Sequence, residues 1–228
     1  MTKPPRITVL LAEDHMIVRE GLRRLLDTEP DLEVVGEADQ GRLAVAMALK
    51  LRPDVIVMDI AMPQMNGLEA TRQILRSLPK TKVLILSAHS DDAYVESMTA
   101  LGVAGYLIKQ SSAHVLAEAI REVMKGKLYF SPTIAKRMQQ QRKTTIDRKG
   151  RTRAPDVRLS SREAEVLQLI AEGESNKQIA SSLGISIKTV EKHRSHLMQK
   201  LDIHDTAGLT RHAIASGIIE SSVQLTIV

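Results

Sequence analysis

The stretch Val55–Gly67 (VIVMDIAMPQMNG) constrains this chain more than any other. Four apolar residues run without a break into one acid, Asp59. A proline and an Asn-Gly pair follow within a few positions. A short continuous apolar run bounded by turn residues reads as a strand buried on both faces, as in a parallel sheet covered by helices. That reading puts Asp59 at the carboxyl end of a buried strand, where open α/β sheets bind their ligands. A carboxylate there needs a partner, because an unpaired buried charge is costly.

The surrounding sequence repeats the same alternation. Apolar runs at Ile7–Ala12, Leu32–Val35, Val55–Met58, Val83–Leu86 and Gly105–Ile108 read as strands. Between and after them, Met16–Leu26, Leu43–Leu51, Leu68–Leu78, Ala93–Leu101 and Val115–Met124 have helical spacing. In the first helix, Ile17, Leu22, Leu25 and Leu26 are expected to face inward and Arg19, Arg23 and Arg24 outward. Strand and helix alternate five times, which predicts right-handed crossovers and a doubly wound five-stranded parallel sheet.

Composition narrows the chemistry. With 43% hydrophobic residues the chain is globular, and with 2% aromatics its cores must be aliphatic and Met-rich. The absence of cysteine excludes disulfides, thiol catalysis and Cys-ligated zinc. No apolar run approaches a membrane span or a signal-peptide core, so a soluble, cytoplasmic protein is expected.

In a parallel sheet the strand ends converge on one edge. Those ends carry Glu13-Asp14, Asp59, Ser87 and Lys109. Carboxylates so grouped repel one another unless a cation intervenes. Oxygen ligands with room for water and a phosphate suit Mg²⁺. A carboxylate can also attack phosphorus to give an aspartyl phosphate. Asp59, in mid-sheet and followed by a Pro-containing loop, is the expected nucleophile. Lys109 and the Ser87 hydroxyl would then meet phosphoryl oxygens. A phosphatase using the same nucleophile usually has a second acid two residues on, where this chain has Ala61. A regulator that works without phosphate is the other alternative.

The motifs LLAEDH, VMDIAMPQMNG, LSAH and GYLIK, at this spacing, resemble the response-regulator receiver domain over roughly residues 6–126. The resemblance implies a flavodoxin-like fold with strand order 2-1-3-4-5. It also implies that Asp59 accepts phosphate from a sensor histidine kinase. Asp14, Asp59 and the main-chain carbonyl of Ala61 would bind Mg²⁺, with Glu13 acting mainly through water. Ser87 and Tyr106 would form the switch pair. Gln110 stands where many receivers have proline.

The second half differs in charge. Residues 1–128 carry 16 Lys/Arg and 17 Asp/Glu, whereas residues 129–228 carry 16 and 10. A basic half suggests an anionic partner such as nucleic acid. Residues 129–157 read as a basic interdomain linker. From Leu159 only helical patterns follow. Ser160 and Ser161 begin one helix, with Glu163 in a capping position. Asn176–Leu183, a Gly184-Ile-Ser turn and Ile187–Leu201 have helix-turn-helix proportions. In the longest helix Val190, Leu197 and Leu201 should pack inward. Lys188, Lys192, Ser195 and Gln199 share a polar face able to lie in a major groove.

The stretch LSSREAEVLQLIAEGESNKQIASSLGISIKTVEKHRSHLMQKL resembles the LuxR-type DNA-binding domain of NarL/FixJ-type regulators, over residues 159–216. By this resemblance Lys188, Thr189, Lys192 and Arg194 are DNA contacts, with Asn176 and Lys177 near the backbone. Glu191 replaces the Lys that many members carry. The expected organisation is a receiver over 1–128, the linker, and a four-helix DNA-binding domain over 158–228. The expected function is phosphorylation-dependent transcriptional regulation, not conventional enzymology, beyond phosphoryl transfer to Asp59 and its hydrolysis. Expected partners are the kinase, promoter DNA, a second copy of the chain when phosphorylated, and RNA polymerase.

Overall fold

A computed structural model of the chain describes residues 6–88, 98, 100–109, 113–132, 134–136 and 159–219. The chain divides into two compact units, Met1–Ala154 and Pro155–Val228.

The first unit is a parallel sheet with helices on both faces. Its elements are β1 (Ile7–Ala12), α1 (Met16–Asp27), β2 (Leu32–Ala38), α2 (Gly41–Leu51), β3 (Val55–Met58), α3 (Gly67–Ser77), β4 (Lys82–Ser87), β5 (Gly105–Ile108), α4 (Ala113–Met124) and β6 (Tyr129–Phe130). The sheet order is β2-β1-β3-β4-β5-β6, and every pairing is parallel. All four residues of β3 are buried, as a strand covered on both faces requires. One core layer includes Leu10, Ile56, Ile85 and Tyr106, and the other includes Val9, Val57, Leu84 and Leu107. Alternation along each strand assigns successive residues to opposite layers.

The structure departs from the expectations in three places. The sheet has six strands, not five, because Tyr129–Phe130 pairs with Gly105 and Tyr106. These residues, expected to open the linker, lie on the sheet, and Ile134 beyond them is fully buried in the core with Tyr106. Gly105 permits this pairing, since a Cβ there would meet the Tyr129 carbonyl oxygen at 2.3 Å. Strand β2 runs three residues further than its apolar pattern suggested, to Ala38. Gly36 leaves space that the side chains of Met47 and Leu51 fill. Ile17 is 84% exposed, so the inward face of α1 begins at Leu22. The helix expected over Ala93–Leu101 lies for the most part outside the described residues, as do Gln110 and most of the linker.

The second unit is helical: α5 (Ser161–Ala171), α6 (Asn176–Leu183), α7 (Ile187–Leu201) and α8 (Thr206–Ala215). Each start is fixed by a side chain accepting a backbone N–H: Ser160 from Glu163, Ser175 from Gln178, Ser186 from Thr189 and Asp205 from Gly208. Such caps satisfy donors that a helix start leaves free. The core joins Val166, Leu167, Ile170, Ile179, Val190, Leu197, Leu209 and Ala213. Ile218 and Ile219, the start of the apolar C-terminal stretch, also pack there.

Glu163 serves two ends of this unit. Its Oε2 accepts from the Ser160 backbone N–H at 2.8 Å and from Lys200 Nζ at 2.8 Å. Burial pushes its carboxyl up, but Lys200 and the Ser160 donors outweigh this and hold it below the usual glutamate range.

Two predictions follow from packing and caps. A Cβ on Gly67 would meet the Asp59 carbonyl oxygen at 1.9 Å, whereas one on Gly21 in α1 meets nothing within 4 Å. Gly67→Ala should therefore destabilise the protein by about 2–3 kcal/mol and Gly21→Ala stabilise it by about 0.5–1 kcal/mol, read by urea denaturation. Glu163→Gln keeps an acceptor for the cap and loses the charge, which should cost about 0.5–1 kcal/mol at pH 7. Because the folded pKa is depressed, that stability is present above the ordinary value of 4.5 and disappears as pH falls through the lower folded value. The two denaturation curves should thus converge in acid.

Candidate functional site

The carboxyl ends of β1, β3 and β5 deliver Glu13, Asp14, Asp59 and Lys109 to one place. The strand ladder continues one residue beyond β1 and β3: Glu13 N–H donates to the Ala38 carbonyl at 2.9 Å and Asp59 N–H to the Ala12 carbonyl at 2.8 Å. The acids therefore start from a fixed backbone. Glu13 is 1% exposed and Asp59 2%. Past Asp59 the chain turns sharply. Gly67 N–H returns to the Ile60 carbonyl at 2.8 Å, and Gln64 takes a left-handed φ of 64°. Asn66 caps α3 by accepting from Glu69 N–H. This close return explains why Gly67 lies against the Asp59 carbonyl. Ala61 lies in the same loop, half-buried.

Lys109 is the cation of the site. Its Nζ donates to Asp59 Oδ2 at 2.9 Å and to Glu13 Oε1 at 3.0 Å, and lies 2.8 Å from Glu13 Oε2. Burial would lower its pKa, but Asp59 and Glu13 overcome that and raise it. Burial, then the charge of Asp59, pushes the Glu13 carboxyl above the usual glutamate range in spite of Lys109. Asp59 Oδ1 accepts from the Ile60 backbone N–H at 2.8 Å.

His15 and Arg19 were not among the expected site residues. His15 Nδ1 lies 2.9 Å from Asp14 Oδ1 and 3.2 Å from Glu13 Oε1. The charge of Asp14 raises its pKa, burial opposes, and Glu13 adds to the rise. Arg19 donates to the Glu13 carbonyl at 2.7 Å. His15 adjoins the acid pair in sequence, which was the available signal; Arg19 reaches back over one helical turn and left none. Asp14 is not the cap of α1: that position belongs to His15, whose side chain makes no cap bond.

Ser87 and Tyr106 flank the acids on β4 and β5. Both are 1% exposed. Ile85 pairs with Tyr106 and Ser87 with Ile108, and Lys109 N–H donates to the Ser87 carbonyl at 2.8 Å. Tyr106 also pairs with Phe130, and its carbonyl accepts from Ser131 N–H at 3.0 Å.

The donor set fits a hard divalent cation. Glu13, Asp14, His15 and Asp59 each offer an atom within 4.8 Å of the others. Glu13 Oε2 and Asp14 Oδ1 are buried, and Lys109 Nζ at 2.8 Å and His15 Nδ1 at 2.9 Å approach them without hydrogen-bond geometry. Buried carboxylate oxygens left this way are what an oxygen-seeking ion satisfies.

In the second unit, Lys177, Lys188 and Lys192 are exposed and Asn176 half-exposed. Thr189 is half-buried, and its hydroxyl lies 2.8 Å from that of Ser186. Arg194 is turned toward α8, donating to Thr206 Oγ1 at 3.1 Å. Val190 and Leu197 are fully buried and Leu201 partly, as the helical pattern predicted.

The sequence pattern of the response regulator receiver domain matches residues 9–121, and that of bacterial regulatory proteins of the luxR family matches residues 157–213. The chain is a response regulator with a LuxR-type DNA-binding domain. It is 41% identical over 199 residues to the transcriptional regulatory protein LiaR of Bacillus subtilis (strain 168), covering 87% of this chain and 92% of that protein. It is 36% identical over 226 residues to the transcriptional regulatory protein DegU of Brevibacillus brevis, covering 94% and 96%. A structure of RcsB from Salmonella enterica serovar Typhimurium, bound to a promoter with the phosphomimetic BeF3-, aligns with TM-score 0.56 at 26% identity, covering 91% of this chain and 98% of that one. No helix among the described residues of this regulator is long and apolar enough to cross a membrane.

Removing Lys109 isolates two buried carboxylates. Breaking a buried pair costs about 3–5 kcal/mol. With the Lys109 side chain 18% exposed, Lys109→Met should cost rather less, about 2–3 kcal/mol, in a chelator-containing buffer. Added Mg²⁺ should raise the thermal midpoint more in this variant than in the unaltered protein, as scanning calorimetry would register.

Proposed function

We propose that this regulator is switched by phosphorylation of Asp59 and that its second unit binds promoter duplex DNA in response. The observation that carries the reading is the meeting of Glu13, Asp59 and Lys109 within hydrogen-bond distance at the strand tips. In this reading the chain is organised as a receiver, a basic connection and a DNA-binding domain.

The donor is a phosphohistidine of a sensor histidine kinase. An Asp59 carboxylate oxygen attacks phosphorus, the P–N bond breaks, and the histidine ring leaves with a proton from solvent. Ile60 N–H holds Oδ1 and thereby orients the carboxylate. Asp14, Asp59 and the Ala61 carbonyl would hold Mg²⁺, with Glu13 acting through water and His15 steadying Asp14. The ion, when bound, neutralises charge on the attacking carboxylate and the phosphoryl oxygens. Lys109 exchanges its contact with Asp59 for one with a phosphoryl oxygen. The Ser87 hydroxyl donates to another, and buried Tyr106 holds the space behind it. The same pocket lets water remove the phosphoryl group, so phosphoryl transfer to Asp59 and its loss are the only chemistry.

The acyl phosphate carries about −1.5 to −2 charge in place of the carboxylate's −1, so the site gains about one negative charge or less. That charge biases the β4–β5 edge toward the form that pulls Ser87 and Lys109 inward. The phosphorylated form pairs with a second copy, and two reading units meet half-sites about 34–36 Å apart. A solved structure holds two RcsB dimers bound to two parallel DNAs. Lys188, Thr189, Lys192 and Arg194 contact base edges and phosphates, with Asn176 and Lys177 near the backbone. The complex acts on RNA polymerase from the promoter, and the protein works in the cytoplasm.

Incubation with acetyl phosphate and Mg²⁺ should add one phosphoryl group to the intact mass, and Asp59→Asn should abolish it. Gel filtration of the treated protein should move to the dimer position, with tighter promoter binding. A chain that stays unmodified, or a modified chain with unchanged oligomeric state and DNA affinity, would refute the switch.

A further inference from the structure

The exposed face of α7 carries one acid among two lysines and neutral polar residues. Lys188, Glu191, Lys192, Ser195 and Gln199 follow one another at helical spacing, and all are exposed. Glu191 makes no hydrogen bond or ion pair with any described residue. Lys188 one turn back and Lys192 beside it leave it bare, although three- and four-residue spacing brings side chains within reach on a helix surface. A carboxylate on the face that meets DNA is repelled by phosphates, so it weakens every duplex it cannot pair with. The groups in a major groove that welcome it are amino donors, and cytosine N4 is the one suited to a carboxylate acceptor.

We propose that Glu191 is the specificity-determining residue of the reading helix: it selects a cytosine by accepting a hydrogen bond from N4. It also acts by exclusion, because sites without that donor leave a desolvated charge opposite a base acceptor. The lysines have the complementary task. They supply phosphate attraction common to all sequences, and guanine O6 or N7 contacts where geometry allows. The proposal rests on the DNA-binding reading above and adds the base to it.

Helix geometry places the cytosine. Glu191 lies about 4.5 Å along the helix axis from Lys188, at about 1.5 Å per residue. One base-pair step is about 3.4 Å. The cytosine should therefore fall within one or two base pairs of the position contacted by Lys188. Asp202, which ends α7 in a left-handed conformation, lies three turns further on and takes no part.

The test is selection from a randomised duplex library by the full-length phosphorylated chain, with Glu191→Ala, Glu191→Gln and Lys188→Ala in parallel. The unaltered protein should enrich cytosine at one position of each half-site by about 5- to 150-fold over other bases. Glu191→Ala should lose that preference alone and bind unselected duplex more tightly. Glu191→Gln should shift it toward adenine, which Gln pairs through N6 and N7. Lys188→Ala should weaken all duplexes alike and lower the salt slope by about 1. Circular dichroism of each variant establishes that it is folded. An unchanged preference in Glu191→Ala overturns the proposal while leaving DNA binding intact. No enrichment by the unaltered protein overturns the DNA-binding reading, and this proposal with it.

Discussion

Everything in the first unit depends on one charge balance. Two carboxylates, Glu13 and Asp59, are buried almost completely at the tips of adjacent strands, and one ammonium, Lys109, bridges them. Without the lysine the carboxylates would face each other in a medium that screens poorly. With it, Glu13 still carries a raised pKa, so the pair is only partly compensated. Under the proposed function, that incompleteness is what a divalent cation and a transferred phosphoryl group would satisfy, a pattern expected of functional sites.

The scaffold keeps this balance in place by close backbone approaches. Asp59 and Glu13 extend the strand ladder by one residue, so their side chains project from a fixed frame. The loop from Ile60 to Gly67 folds back against Asp59, and only glycine fits where it returns. On the far side, β6 extends the sheet past β5 and ties residues 129–131 to the backbone of Tyr106. The second unit follows a different logic. Its four helix starts are each capped by a polar side chain, and its small aliphatic core leaves one face of α7 free.

Much of this was legible in the chain because the relevant signals are local or periodic. A four-residue apolar run bounded by turn residues reads as a strand covered on both sides, so β3 and the location of Asp59 followed from VIVMD and the Pro and Asn-Gly after it. The alternation of strands and helices fixed the winding of the sheet, and the Ser-x-x-Glu spacing fixed the start of α5. Other features were not local. The sixth strand is two residues long and without alternation. It exists because Gly105 admits a carbonyl, a property of the neighbour rather than of Tyr129 or Phe130. Ile17 fits the apolar pattern of α1, yet it projects to solvent because the sheet lies under the later turns. Arg194 matches a DNA-facing position by family pattern, but its hydrogen bond to Thr206 across the α7–α8 packing has no signal along the chain.

The sequence by itself determined the first five strands, the order of the elements it marked, and which acids and cation stand at strand ends, since periodicity and strand-end position are written along the chain. Tertiary structure alone decided which of those groups touch. Lys109 lies far from Glu13 in sequence, and its contact with both acids arises only when three parallel strands bring their ends to one edge. His15 instead meets Asp14 and Glu13, its neighbours in sequence, without that convergence. Hydrogen bonds act over about 3 Å, and no spacing along a chain encodes a distance that short between residues so far apart.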